Sequence, residues 1–168
     1  MENKYKLNIP HKGKMLLIEG ISDINFDNKE ILSFANIKKD NIFYDISEPE
    51  GIESYIFTEY AAQTAAAYNG ALSNNDDNKR IGFILNIKKV NCYINKIKSD
   101  NRVYIFVKET FNDKKIAYYD GEAILYNDDI NTLDEYKKIV NDDNKIMDCS
   151  IMVMESSADI FNNNDING

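Results

Sequence analysis

The sequence predicts a single α+β domain in which antiparallel strands surround one long helix, and two observations carry that expectation. The first is an alanine-rich run, Phe57-Thr-Glu-Tyr-Ala-Ala-Gln-Thr-Ala-Ala-Ala67, the only long stretch with a sustained helical pattern. The second is a set of apolar, β-branched and aromatic runs placed around it, two before the helix and three in succession after it. A chain of 168 residues holds one domain with a substantial core and is short for two.

Taken in order, Met15-Leu-Leu-Ile18 is entered from a loop holding Pro10 and Gly13 and predicts a strand within Lys14 to Asn25. A second strand is expected over about Glu30 to Lys38. Ser47-Glu-Pro-Glu50 has the Ser-x-x-Glu form of a capping box, which either begins the helix or makes a separate turn before it. Ile52, Ile56, Glu59, Tyr60, Gln63 and Ala67 recur at three- and four-residue spacing and share one helix face. That pattern runs to about Leu72, and the polar segment from Ser73 to Asn78 ends it.

Ile81 to Lys98 reads as one long strand whose alternation changes phase near Lys88 and Lys89, which predicts a β-bulge. Arg102 to Phe111 and Lys115 to Tyr126 form two more strands around a hairpin turn at Asn112-Asp-Lys114. Beyond Asn127, the spacing of Leu133, Tyr136, Ile139 and Val140 predicts a short amphipathic helix, and Ile146 to Met154 can add a strand. The expected organisation is a main domain over 1–127, an extension over 128–161 and a disordered tail over 162–168.

Composition excludes some function classes. The net charge of −8 and the scatter of the lysines argue against a nucleic-acid surface, which needs clustered Lys and Arg. No apolar run is long enough to span a bilayer, and the first residues lack the apolar centre of a secretory signal, so a cytoplasmic protein without a membrane partner is expected. The two cysteines, Cys92 and Cys149, and the single histidine, His11, are too few for a zinc cluster or a multi-histidine metal site. Both cysteines lie in strand-like runs, where small core residues are expected. No metal and no cofactor is expected.

Glu59 is the residue the pattern singles out, because an ionised side chain is rarely placed on the buried stripe of a helix. Gln63 sits one turn further on the same face. The plain alternative is that Glu59 lies at the stripe's edge and reaches solvent while Gln63 is an ordinary helix former.

Two local motifs carry a family resemblance. Ile9-Pro10-His11, followed by Met15-Leu-Leu-Ile-Glu-Gly20, resembles the Pro-His opening and first strand of β-hydroxyacyl carrier-protein dehydratases and their relatives from aryl-polyene pigment pathways. Thr58-Glu-Tyr-Ala-Ala-Gln63 resembles the start of the central helix in the pigment-pathway branch, and Gly82-Phe-Ile-Leu-Asn-Ile-Lys88 its long third strand. The similarity spans about Lys6 to Tyr126. It implies a hot-dog fold, in which a curved antiparallel sheet wraps one long central helix, and a homodimer that completes its site across two subunits.

The resemblance also implies a chemistry. In such dehydratases a 3-hydroxyacyl thioester, on acyl carrier protein or coenzyme A, places its carbonyl oxygen at the helix start, whose N–H groups and dipole stabilise the charge that develops there. A histidine and a helix carboxylate divide the proton transfers, and the carboxylate position corresponds to Glu59. The chain departs from the fatty-acid enzymes in having Ile42-Phe-Tyr-Asp-Ile-Ser-Glu-Pro49 where they carry a histidine before the helix. His11 is therefore the candidate partner of Glu59, with Gln63 as the orienting residue. Against catalysis by His11 stands the reading that it merely orders the loop before the first strand, and Tyr44 and Asp45 are poor replacements.

Three functions remain open on the sequence. The preferred one is dehydration of a 3-hydroxyacyl thioester, within fatty-acid or polyketide biosynthesis. A helix carboxylate can also activate water without a histidine, which gives a thioesterase. A non-catalytic acyl-binding or assembly subunit is the third. A carboxylate facing an open tunnel favours the enzymes, and a tunnel plugged by aromatic side chains favours the last. Acyl carrier proteins are acidic, so the overall charge opposes their docking, and Lys12 with Lys14 or Lys88 with Lys89 are the local clusters that can offset it.

Overall fold

The computed structural model describes residues 5–73 and 80–157. The expected tail over 162–168 and residues 74–78 of the expected polar loop lie outside them. The strands are β1 (Gly20–Asn25), β2 (Glu30–Asn36), β3 (Ile52–Glu53), β4 (Arg80–Cys92), β5 (Lys96–Ile97), β6 (Arg102–Asn112), β7 (Ile116–Leu125) and β8 (Lys145–Ser157). The helices are α1 (Phe57–Leu72) and α2 (Leu133–Ile139).

Six strands form one antiparallel sheet in the order β1-β2-β6-β7-β8-β4, and β3 and β5 make a small second pair. The sheet wraps α1, which is the hot-dog fold. Strand β8, expected as part of an extension after residue 127, lies inside the sheet and pairs with both β7 and β4. A strand that far along the chain shows only its own alternation in the sequence, and its place between two earlier strands is a tertiary fact.

Wrapping explains the composition of α1. Phe57, Thr58, Tyr60, Ala61, Gln63, Thr64, Ala65, Ala67 and Tyr68 are all buried, so burial runs most of the way around the helix rather than along one stripe. Small residues let the sheet come close. At Gly121 of β7 an added Cβ would stand 2.9 Å from Ala61 Cβ and 3.1 Å from Cys149 Sγ, so that contact has no room for a side chain.

Several expected boundaries move, each for a visible reason. The apolar run at Met15 does not enter the sheet: Gly13–Met15 is a 3-10 turn and β1 begins only at Gly20. The Leu17 N–H and the Met15 carbonyl are instead bonded to the Gln63 side chain. Ser47 to Glu50 proves to be a separate turn, closed by an antiparallel bridge between Asp45 and Gly51. Ile52 and Ile56, expected on the helical stripe, lie in β3 and in the 3-10 turn Ser54–Ile56 that leads into α1. The long strand stops at Cys92 because Lys96–Ile97 turns away to pair with β3. Its register shifts between Ile87 and Lys89, where the bulge was expected, and also between Ile84 and Asn86. Cys149 is buried, and burial pushes its thiol up to about 12, whereas Cys92 is exposed rather than a core residue.

The outer face of the sheet carries a second apolar cluster in which Ile130, Leu133 and Tyr136 cover Leu32, Phe34, Tyr104 and Ile124. The amphipathic spacing read at Leu133, Tyr136, Ile139 and Val140 is this contact. Helix α2 starts at a Thr-x-x-Glu capping arrangement: the Thr132 hydroxyl accepts from the Glu135 N–H, and the Glu135 carboxylate accepts from the Asn131 N–H.

Candidate active site

The least buried stripe of α1 defines the site. Glu59, Ala62, Ala66, Asn69, Gly70 and Ser73 follow one another at helical spacing and line a cavity of about 290 Å³. Opposite them stand Gly82, Phe83 and Ile84 of β4, Tyr119 of β7 and Val153 of β8. The third wall is the N-terminal segment Asn8-Ile-Pro-His11, which runs along the helix in the opposite direction. Where it passes Gly70, a Cβ would lie 2.1 Å from the Asn8 carbonyl oxygen, so only glycine lets the two backbones come this close.

That strap carries His11 to the head of the cavity. His11 Nε2 stands 3.5 Å from Glu59 Oε1, with the two side chains 29% and 32% exposed. Glu59 is thus at the edge of the buried stripe rather than inside it, and it is the cavity that its carboxylate faces. The other ring nitrogen, Nδ1, is buried without a hydrogen-bond partner, so proton exchange by this imidazole runs through Nε2.

Gln63 is fully buried and does not line the cavity. Its amide nitrogen donates to Glu59 Oε1 at 3.1 Å and to the Met15 carbonyl at 2.9 Å, and its carbonyl oxygen accepts from the Leu17 N–H at 2.9 Å. One side chain therefore ties the carboxylate to the segment that follows His11. Its contact is with Glu59, so any orienting effect on a substrate passes through that carboxylate.

The segment before the helix is occupied with structure. The Asp45 carboxylate accepts from Lys96 Nζ at 2.8 Å and from the Ser47 N–H, which holds it well below the usual carboxylate range. The Tyr44 hydroxyl accepts from the Ser99 N–H. Neither lines the cavity. Helix α1 itself begins without a side-chain cap, and Thr58 Oγ1 in its first turn is buried with no partner. Asn41 Nδ2 donates to the Tyr60 hydroxyl at 2.9 Å beneath the same turn, and burial pushes that phenol up to about 12.

Sequence reasoning passed over Asn69, Gly70, Tyr119 and the lining alanines. The helical ones were accessible by continuing from Glu59 at three- and four-residue steps, whereas Tyr119 stands directly beside Tyr118 in a strand-like run and carried no distinguishing signal. Among the described residues no three His, Cys, Asp or Glu side chains cluster as metal ligands, and no helix is long and apolar enough to cross a membrane.

Solved structures with this fold include the dehydratase heterocomplex ApeI:P from Xenorhabdus doucetiae, 14% identical over 90% of both chains with a TM-score of 0.71. A hypothetical thioesterase with coenzyme A from Streptococcus pneumoniae is 8% identical, over 82% of this chain and 84% of that one, with a TM-score of 0.54. A thioesterase family protein from Silicibacter pomeroyi is likewise 8% identical over 82% and 84%, at 0.55. No curated protein matches the sequence. At these identities the structures show the shared fold. The sequence model of the ApeP-like family, described as ApeP dehydratase, matches residues 4–161, which includes the His11 strap, the whole of α1 and β8. Over nearly its full length, then, this chain belongs to the ApeP-like dehydratase family.

Proposed function

We propose that the protein removes water from a 3-hydroxyacyl thioester, presented on acyl carrier protein or coenzyme A, with His11 and Glu59 sharing the proton transfers. Dehydration is the activity of the family, and the observation that carries the assignment of residues is the 3.5 Å approach of His11 Nε2 to Glu59 at the head of the cavity. His11 Nε2 takes the proton from C2, the C2–H electron pair becomes the C2–C3 double bond, and the C3–O bond breaks. Glu59, entering the step protonated, gives its proton to the departing hydroxyl, so the products are a 2-enoyl thioester and water. The thioester oxygen gains charge as C2 loses its proton, and the start of α1 offers its dipole to that oxygen.

Several features support this reading over the alternatives. The cavity reaches Glu59 and its space of about 290 Å³ is not filled by aromatic side chains, which favours an enzyme over a silent acyl-binding subunit. Lys12 and Lys14 are exposed directly beyond His11, a position suited to the phosphates of coenzyme A or of a carrier arm. We also propose a homodimer formed along β4, an edge strand that leaves Phe83, Leu85 and Ile87 exposed beside the cavity.

The test is product analysis on 3-hydroxyacyl and saturated acyl thioesters with the wild type, Glu59→Gln and His11→Ala. Loss of water that falls by about two to four orders of magnitude in both variants is expected. Release of free acid that needs Glu59 and not His11 would assign a thioesterase instead.

A further inference from the structure

We infer that the Thr58 hydroxyl is the hydrogen-bond donor to the thioester carbonyl oxygen at the head of the cavity. The inference rests on the thioester reading of the site and adds to it a residue that holds the reacting group. Helical position points to it. Thr58, Ala62, Ala65 and Asn69 recur at steps of four, three and four residues and so share one face of α1, and the last three of them line the cavity. Thr58 is the next member of that row toward the helix start, beside Glu59.

Thr58 is 5% exposed, and its Oγ1 is buried without a hydrogen-bond partner among the described residues. A buried hydroxyl left in this way is unfavourable. The usual recourse of a helical threonine is the carbonyl four residues back, and Thr64 of the same helix takes it, donating to the Tyr60 carbonyl at 2.8 Å. Thr58 makes no such bond. Two backbone donors at this end are, by contrast, in use. The Phe57 N–H donates to the Ser54 carbonyl within the 3-10 turn that runs into α1, and the Ser54 N–H donates to the Asn95 carbonyl at 2.9 Å. The helix start still presents the positive end of its dipole, and the side chain of its second residue supplies a donor that nothing else engages. Thr58 is not part of the cavity lining, and its hydroxyl is covered as it stands. A helical threonine has two χ1 wells, and turning from one to the other exchanges its hydroxyl with its methyl. A thioester oxygen seated at the head of the cavity gives the hydroxyl the partner it lacks, at a place screened from water, where a bond to developing charge is strongest.

The test compares the wild type with Thr58→Val, which keeps the shape and removes the hydroxyl, and with Thr58→Ser, which keeps the hydroxyl. Thr58→Val is expected to melt no lower than the wild type, because it removes a buried polar group that has no partner. Its kcat and kcat/KM for 3-hydroxyacyl thioesters should fall together by about a hundredfold or more. Thr58→Ser should stay within about tenfold of the wild type. A second readout is the infrared carbonyl stretch of butyryl-coenzyme A, isotopically labelled at its thioester carbon and bound to each protein. A hydrogen bond weakens that double bond, so the band should lie lower in the wild type and Thr58→Ser than in Thr58→Val. Equal bands, no binding of the acyl thioester, unchanged turnover by an active Thr58→Val, or a Thr58→Val that melts below the wild type would overturn the inference. Butyryl thioesters cannot lose water. A wild type that shows the band difference but releases no water from 3-hydroxyacyl thioesters would therefore count against the dehydratase reading alone.

Discussion

Gln63→Met isolates the polar work of one buried side chain, since methionine is of similar length and flexibility and fills the same space without hydrogen bonds. Gln63 is fully buried, and its largest single contribution is to the Leu17 N–H, which has no water to turn to because Leu17 is itself 5% exposed. Leaving a buried donor unsatisfied costs about 1 to 3 kcal/mol. The bonds to the Met15 carbonyl and to Glu59 add less, because Met15 is 46% exposed and the Glu59 side chain 32%, so water replaces most of what is lost. The gain from burying a thioether in place of an amide offsets some of this, and a net loss of about 2 kcal/mol is expected. At about 2 to 4 °C per kcal/mol for a chain of this size, the melting temperature falls by about 4 to 8 °C. Urea unfolding should show the midpoint moving without a change in slope. Because the same side chain holds Glu59, kcat should fall further than KM rises in thioester turnover. A variant that melts with the wild type would refute the view that Gln63 anchors the segment behind His11.

Two other perturbations probe the supports of the site. In Gly70→Ala the helix gains about 1 kcal/mol of propensity, yet the new methyl meets the Asn8 carbonyl oxygen at 2.1 Å, so the strap has to lift. The clash, at about 1 to 3 kcal/mol, outweighs that gain, and a displacement of His11 near 1 Å lowers kcat/KM by about a hundredfold, read by melting and steady-state kinetics. Tyr60 is held protonated by burial to about 12 against 10.0 when free, so its contribution is complete below pH 10 and is lost as the pH rises through its folded value. Denaturant titrations between about pH 9 and pH 12 should therefore show a decline shallower by about 2 to 3 kcal/mol in Tyr60→Phe than in the wild type. Equal slopes would mean that the phenol titrates in the fold as it does in water.

The regions of the fold that were legible are those written in local period. The hairpin at Asn112 to Lys114, the helix ending at Leu72, the bulge near Lys88 and the short helix from Leu133 all depend on neighbours in sequence. What stayed hidden depends on partners far along the chain. Met15 to Ile18 has the hydrophobicity of a strand, but nothing in it reveals that Gln63, forty-six residues away from Leu17, takes its backbone groups. The 3.6-residue period that singled out Glu59 also overstated its burial, because a helix enclosed on nearly every side has no single buried stripe. The uncovered remainder of α1 is the cavity wall.

In the proposed site the histidine comes from the N-terminal strap and not from the segment before the helix. That segment is engaged elsewhere, with Asp45 on Lys96 and Tyr44 on the Ser99 N–H, so a base placed there would have had to break the turn that leads into α1. The strap has no such duty in the sheet. It is held at one end by the close passage over Gly70 and, beyond His11, by Gln63 on Met15 and Leu17, which fixes His11 between two contacts that belong to the same helix as Glu59. His11 and Glu59 are thereby referenced to one rigid element, and the Gln63 bond to Glu59 makes the reference direct. In such an arrangement, loosening either end of the strap should disturb His11 more than Glu59. Gly70→Ala and Gln63→Met differ on this point, since only Gln63→Met also frees the carboxylate.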